Sequence, residues 1–291
     1  MDNQYKLFAT DFDNTLVPLG ETAPRKAVRQ AVRNLKAQGG SFVICTGRSL
    51  YALTSRPKLL GGLKYDYAVC NNGAHVVDAK GETLYQNPLT YEEMYALVDF
   101  CEDYDYPLQF AFSDGYYAYV GYDSVREMFD KLESAGTGLG IKDGEDQDRH
   151  LTELPDSAFV MFPPDGLARF QEKYGYQELE FIPISNVYEL GPWCSFDIMH
   201  KGVNKGAGLK GLCESLNLPL EQVVAAGDGH NDIELLQTAG LGCAMGNAPQ
   251  DVKDIADRVL PDVKQEGIAP LLNELWPAAA DEAAGARAAN E

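Results

Sequence analysis

Short apolar runs alternate with helix-spaced patterns in the first quarter of the chain and again in its last third, the mark of βα units on a parallel sheet. Residues 5–10 read as a strand. Thr22 offers an N-cap with Pro24 in the first turn, Ala27, Val28, Ala31, Val32 and Leu35 trace one helical face, and Gly39-Gly40 ends it. Ser41 to Cys45 is the next strand, a helix is expected from about Leu50 to Leu60, Tyr67 to Cys70 reads as a third strand, and a small hairpin turns near Lys80-Gly81. After residue 195 the alternation resumes: a helix near Gly206 to Leu216, a strand Val223 to Ala226, a helix from Asp232 and a strand Leu241 to Met245.

Between these regions the texture changes. Aromatic residues crowd in and strands are expected in antiparallel hairpins: Leu108 to Ala111 and Tyr116 to Val120 flank Asp114-Gly115, a dipeptide suited to positive φ in a tight turn. A helix from Tyr91 to Glu102 precedes them. A similar order returns as strand Ala158 to Phe162, helix Leu167 to Tyr174, and strands near Leu179 to Ile184 and Val187 to Leu190. This pattern predicts an inserted α+β domain of two weakly repeated αββ units, with Gly136 to Arg149 as its surface loop. The expected fold class is α/β, a Rossmann-like doubly wound parallel sheet with an inserted α+β cap. The core takes residues 1–83 and 191–277, the cap 84–190, and an alanine-rich tail 278–291 is expected to be disordered.

Composition narrows the function classes. At 291 residues, 45% hydrophobic and 23% charged, the chain has the makings of a folded globular protein. A net charge of −20 argues against gripping nucleic acid or an anionic membrane through the overall field, so an anionic ligand must be held by local charges or a metal ion. The six cysteines have no zinc-like spacing and are expected to be mostly small core residues. There is no signal-peptide pattern and no run of about 18 apolar residues, so a cytoplasmic location is expected. The sequence carries no sign of oligomeric state.

Four polar clusters fall just after predicted strands: Asp11 to Thr15, Thr46-Gly47-Arg48, Asn71-Asn72-Gly73 and Gly227 to Asp232. Ligands of open parallel sheets bind outside the carboxyl ends of the strands, so these segments are expected to converge on one crevice. Taken alone, Asp11-x-Asp13 reads more readily as an Asx turn closing a strand, and Gly227-Asp228-Gly229 as another turn. Together they offer hard oxygen ligands suited to Mg²⁺. Lys205, just ahead of a helix, is a cation for phosphate oxygens or an ordinary solvated lysine. Thr46 and the backbone near Gly47 offer donors to an anion. Arg48 either meets phosphate or braces the acidic loop. Aromatics from Tyr104 to Tyr119 are read as packing the cap's own sheet.

The set Asp11-Phe12-Asp13-Asn14-Thr15-Leu16, Thr46-Gly47-Arg48, Asn72-Gly73-Ala74, Lys205-Gly206, Gly227-Asp228-x-x-Asn231-Asp232 and Met245-Gly246-Asn247-Ala248 resembles the haloacid dehalogenase superfamily, and within it the Cof-like sugar-phosphatase branch. The resemblance spans nearly the whole chain. It implies a phosphatase of small phosphate esters in which Asp11 is the nucleophile and Asp13 the acid and base, the latter with a raised pKa. It further implies Mg²⁺ on Asp11, the Asp13 carbonyl, Asp228 and Asp232, and phosphate on Thr46, Gly47, Lys205 and Asn231. His230, a variable position in the family, receives no role. Asn14 stands where the family most often has Gly. Its side chain tolerates left-handed φ and is expected to crowd or hydrogen-bond the leaving group. A phosphomutase sharing the aspartyl phosphate, or a silent phospho-ligand-binding regulator, are the alternatives.

Overall fold

The computed structural model describes residues 4–55, 58–127, 140–144, 148–175, 178–184, 193–265 and 267–278. Contacts divide the chain into two units, one of residues 1–46, 57–84 and 204–291, the other of residues 47–56 and 85–203.

The first unit is built on an eight-stranded sheet of order β14-β13-β12-β1-β2-β3-β4-β5. Its strands are β1 (Leu7–Thr10), β2 (Ser41–Cys45), β3 (Tyr67–Cys70), β4 (His75–Asp78), β5 (Thr83–Gln86), β12 (Val223–Gly227), β13 (Leu241–Ala244) and β14 (Arg258–Val259). From β14 through β3 neighbours run parallel, and β4 turns back antiparallel on β3. β1 lies at the centre, every residue buried, with Leu7 beside both Val223 and Ser41. Such continuous apolar strands are what a parallel sheet covered on both faces requires. Strand order reverses about β1, with β2 and β3 on one side and β12 and β13 on the other. The carboxyl ends of these strands therefore form the crevice at the topological switch point.

Helix α1 (Lys26–Ala37) buries Val28, Ala31, Val32 and Leu35, as its periodicity predicts. It starts three residues after the expected first turn. Its N-cap is Arg25, without a side-chain cap, and the Arg25 guanidinium instead binds Glu21. Helix α2 spans Leu50–Thr54, shorter than expected, and Leu59, Leu60 and Leu63 are buried from turns in which Gly61 and Gly62 take positive φ. Helix α6 (Lys205–Leu216) packs on α7 (Ile233–Thr238) and on the turn at residues 71–73, while α8 (Gln250–Asp254) precedes β14 and α9 (Ile268–Leu275) packs on α1.

The second unit has its own sheet, order β10-β11-β9-β6-β7-β8, with β6 (Leu108–Phe112), β7 (Gly115–Val120), β8 (Ile141–Asp143), β9 (Ser157–Phe162), β10 (Leu179–Ile184) and β11 (Cys194–His200). Two αββ successions are present, α3 (Tyr91–Tyr104) with β6 and β7, and α5 (Gly166–Tyr174) with β10 and β11. α3 opens with a full capping box between Thr90 and Glu93. One sheet face meets α3 and α5 through Phe100, Phe110, Phe112, Phe162 and Phe170. The other meets α2 and a helix over residues 122–127, here α4, through Ala52, Val125, Ala111, Tyr116 and Phe159.

Three expectations shift here. The β6–β7 hairpin closes over Ser113-Asp114, because Gly115 already pairs with Phe112, and neither turn residue has positive φ. Within the predicted loop of residues 136–149, Ile141–Asp143 forms strand β8, parallel to β7. The expected strand Val187 to Leu190 falls outside the described residues, and β11 is the strand that pairs with β10 and β9. That pairing groups residues 193–203, read from sequence as core, with the second unit. Of the predicted tail, residues 279–291 fall outside the described residues. No helix among the described residues is long and apolar enough to cross a membrane.

Candidate active site

Asp11 follows β1 directly, its amide donating to the Ala226 carbonyl of β12 at 2.9 Å. The next turn is anchored by burial of Phe12, Leu16 and Val17 and closed by Asn14 N–H to the Val17 carbonyl (2.7 Å) and Val17 N–H to the Phe12 carbonyl (3.0 Å). Those closures hold Asn14 at φ +60°, a conformation Asn tolerates better than other residues that carry a side chain. Asp13, between them, is exposed.

Lys205 enters from the first residue of α6, whose N-cap Asn204 accepts from Ala207 N–H at 2.8 Å. The position of this helix is tightly set. Gly73, at φ +110°, lies so close to Asn204 that a Cβ there would stand 2.1 Å from the Asn204 carbonyl oxygen. Only 1% exposed, Lys205 donates from Nζ to Asp11 Oδ1 and to Asp232 Oδ1, each at 2.6 Å. Asp232 in turn accepts the Asp228 and Gly229 amides on Oδ2, at 3.0 and 2.9 Å.

Asp228, after β12, is held by a third set of donors. Thr15 Oγ1 donates to its Oδ1 (2.6 Å), while Asn14 Nδ2 (2.9 Å) and Asn247 Nδ2 (3.1 Å) both donate to Oδ2. Asn247 also donates to the Asn14 carbonyl (3.0 Å) and accepts from Val263 N–H (3.0 Å), tying the loop after β13 to the turn after β1. Asn231 donates to Asn72 Oδ1 at 3.0 Å, and the Asn72 amide donates to the carbonyl of the buried Thr46 at 3.0 Å.

Carboxylate oxygens of Asp11, Asp228 and Asp232 lie within 4.8 Å of one another. Three carboxylates gather around one ammonium, and burial dominates the protonation of Asp11 and Asp228. Burial pushes the Asp11 carboxyl well up, opposed by Lys205 and reinforced by Asp232 and Asp13. Burial also raises Asp228, against the Thr15 and Asn14 hydrogen bonds that lower it. Burial disfavours the Lys205 ammonium, but Asp11 and Asp232 outweigh it and hold the pKa above its ordinary value. Hard anionic oxygens at this spacing, short of cationic partners, fit a small divalent cation such as Mg²⁺.

The first unit thus brings together Asp11, Lys205, Asp228, Asp232, Asn231 and Thr46. Gly47 and Arg48 group with the second unit, where Ser49 N–H donates to Tyr116 Oη at 3.3 Å. His230 Nε2 pairs with Asp251 at an exposed position, 2.8 Å apart. Six of the seven aromatics read as packing are buried, and Tyr104 is the exposed one. The sequence does not signal the contacts of Thr15, Asn72 or Asn247, although each sits in one of the motifs. The Asn14 side-chain amide, expected at the leaving group, donates to Asp228.

Comparison with known proteins agrees with this geometry. Residues 8–272 match the model of the haloacid dehalogenase-like hydrolases. The chain is 28% identical to phosphatase YwpJ of Bacillus subtilis over 93% of this chain and 99% of that one. It is 26% identical to the 5-amino-6-(5-phospho-D-ribitylamino)uracil phosphatase YitU of the same organism, over 95% and 99%. The crystal structure of a hypothetical protein from Geobacillus kaustophilus superposes with a TM-score of 0.78 at 28% identity, covering 93% of this chain and 98% of that one. The chain belongs to the haloacid dehalogenase-like hydrolase family, of the Cof-like type that its motifs resemble.

Proposed function

We propose that this hydrolase is a magnesium-dependent phosphatase of small phosphorylated metabolites, sugar phosphates foremost, acting through an aspartyl phosphate on Asp11. The observation that carries the reading is the placement of Asp11. It is a buried carboxylate at the end of the central strand, gripped by Lys205 at 2.6 Å and grouped with Asp228 and Asp232. The phosphatase names of its relatives support the same reaction class, and the phosphoribityl group named for YitU supports a sugar-like alcohol as leaving group.

In this reading a carboxylate oxygen of Asp11 attacks phosphorus and the bond to the ester oxygen breaks. Asp13, exposed one turn away, gives its proton to the departing alkoxide. Asp13 then takes a proton from water as that water attacks phosphorus, which frees inorganic phosphate and restores the Asp11 carboxylate. Lys205, Thr46 and Asn231 hold the phosphoryl oxygens, and Asp232 keeps Lys205 and the Asp228 amide in place. Asp11, the Asp13 carbonyl and Asp228 would hold Mg²⁺, which when bound neutralises charge on the phosphoryl oxygens.

The test is turnover of p-nitrophenyl phosphate and of a panel of sugar phosphates with Mg²⁺. Wild type is expected to be active and Asp11→Asn to lose activity by several orders of magnitude, the scale seen when a covalent nucleophile is removed. Full activity in Asp11→Asn, or inactivity of wild type on every substrate, defeats the assignment.

A further inference from the structure

A carboxylate oxygen has two in-plane lone pairs. On Asp228 Oδ2 both are engaged, by Asn14 Nδ2 at 2.9 Å and Asn247 Nδ2 at 3.1 Å, whereas Oδ1 accepts Thr15 Oγ1 at 2.6 Å and keeps one lone pair. The two amides are themselves fixed. Asn14 is locked at φ +60° by its turn, and Asn247 is held through Val263 N–H and the Asn14 carbonyl. We infer that Asn14 and Asn247 restrict Asp228 to one-oxygen ligation and so make the site select Mg²⁺ against Ca²⁺.

The selectivity follows from the coordination each ion prefers. Mg²⁺ takes six ligands in a regular octahedron and accepts single carboxylate oxygens. Ca²⁺ favours six to eight ligands and readily takes both oxygens of one carboxylate. To chelate Ca²⁺, Asp228 would have to release two charge-assisted hydrogen bonds from Oδ2, while a single bond to Mg²⁺ through Oδ1 costs neither. Asn14 is the informative member of the pair, because Asn247 also ties the loop after β13 to the turn after β1. Asn14 is thus a positioning residue acting through Asp228. The inference rests on the reading of Asp228 as a metal ligand.

Isothermal titration of the full chain with MgCl₂ and with CaCl₂, without substrate, tests it. Wild type is expected to bind Mg²⁺ more tightly than Ca²⁺. Asn14→Gly keeps the left-handed turn but removes the amide. It should lower the ratio of Ca²⁺ to Mg²⁺ dissociation constants by about tenfold or more, the range in which partners of metal ligands act. Asn247→Ala, which removes the other donor to Oδ2 at a position without positive φ, carries the same expectation should the glycine variant fail to fold. Thr15→Val frees Oδ1 and leaves Oδ2 blocked, so its ratio should stay at the wild-type value. Asp228→Asn separates the two levels of the account. If it binds Mg²⁺ as wild type does, the metal-site reading fails. If it loses Mg²⁺ while Asn14→Gly keeps the wild-type ratio, or if Thr15→Val shifts the ratio as far as Asn14→Gly, the selectivity inference alone is overturned.

Discussion

Lys205 is the residue on which the electrostatics of the site turn. A fully buried ammonium survives only because Asp11 and Asp232 each sit 2.6 Å from it, and removing one partner of a buried ion pair leaves the other charge uncompensated. Lys205→Met, close in volume but neutral, is therefore expected to destabilise the metal-free protein by about 3–5 kcal/mol in chemical denaturation. Added Mg²⁺ should recover more stability in this variant than in wild type, since the cation offsets the same carboxylates. In the second unit a buried acid makes stability depend on pH. Burial raises the Asp197 carboxyl, on β11, from 3.8 to about 7. Between those values the folded state holds a proton that the unfolded chain has lost, so this group's contribution to stability declines as pH rises toward 7 and is flat above it. Asp197→Asn mimics the protonated acid. Its gain in melting temperature over wild type should be larger at pH 8 than at pH 5, and a gain independent of pH would remove Asp197 as the cause. Residues in contiguous motifs, Asp11, Asp228 and Asp232, were legible in the sequence. Asn14 to Asp228 and Asn247 to the Asn14 carbonyl were not, because both contacts join loops more than 200 residues apart in the chain. The desolvation of Asp197 was equally hidden, since it depends on which strands flank β11.

At the scale of elements, the site is positioned by helix α6 and by the close approach of the turn after β3. Gly73 meets two demands at once, a φ of +110° and the absence of any side chain beside the Asn204 carbonyl. Gly73→Ala would force Asn204 and the first turn of α6 away, taking Lys205 with them. A loss of about 3 kcal/mol or more is expected from overpacking and left-handed strain combined, measured by urea denaturation, with activity falling in the variant that remains folded. A near-neutral effect would show that α6 is not pinned there. Elements with strong periodicity, such as α1, α3 and the strands of the first sheet, were readable because burial imposes a regular spacing. Their ends were less so. Thr22 is a good cap by composition, but α1 begins at Lys26, with extended Arg25 as an N-cap that makes no side-chain bond. Asp114-Gly115 is a good positive-φ turn, but the pairing of Gly115 with Phe112 places the turn one residue earlier. In the hairpin a cross-strand contact outweighed a local preference.

For the whole molecule, the sequence pattern conveyed two units and their architectures, because alternating βα texture and aromatic hairpin texture differ in kind. The division of the chain between them was harder to read. Residues 47–56 and 194–203 take their places through packing of Ala52 and pairing of β11, neither of which has a local signature. With a net charge of −20, the protein meets anionic substrates against its own field. In the proposed reading, phosphate is recognised by Lys205 and the hydrogen-bonding groups beside the nucleophile Asp11 at the end of β1. The most direct test of that account is borohydride trapping during turnover of p-nitrophenyl phosphate with Mg²⁺, read by peptide mass spectrometry. An acyl phosphate on Asp11 is reduced to homoserine at position 11, with Asp13 unchanged, and this is the expected result. Turnover that continues while position 11 remains aspartate in the trapped protein, and persists in Asp11→Asn, would contradict it.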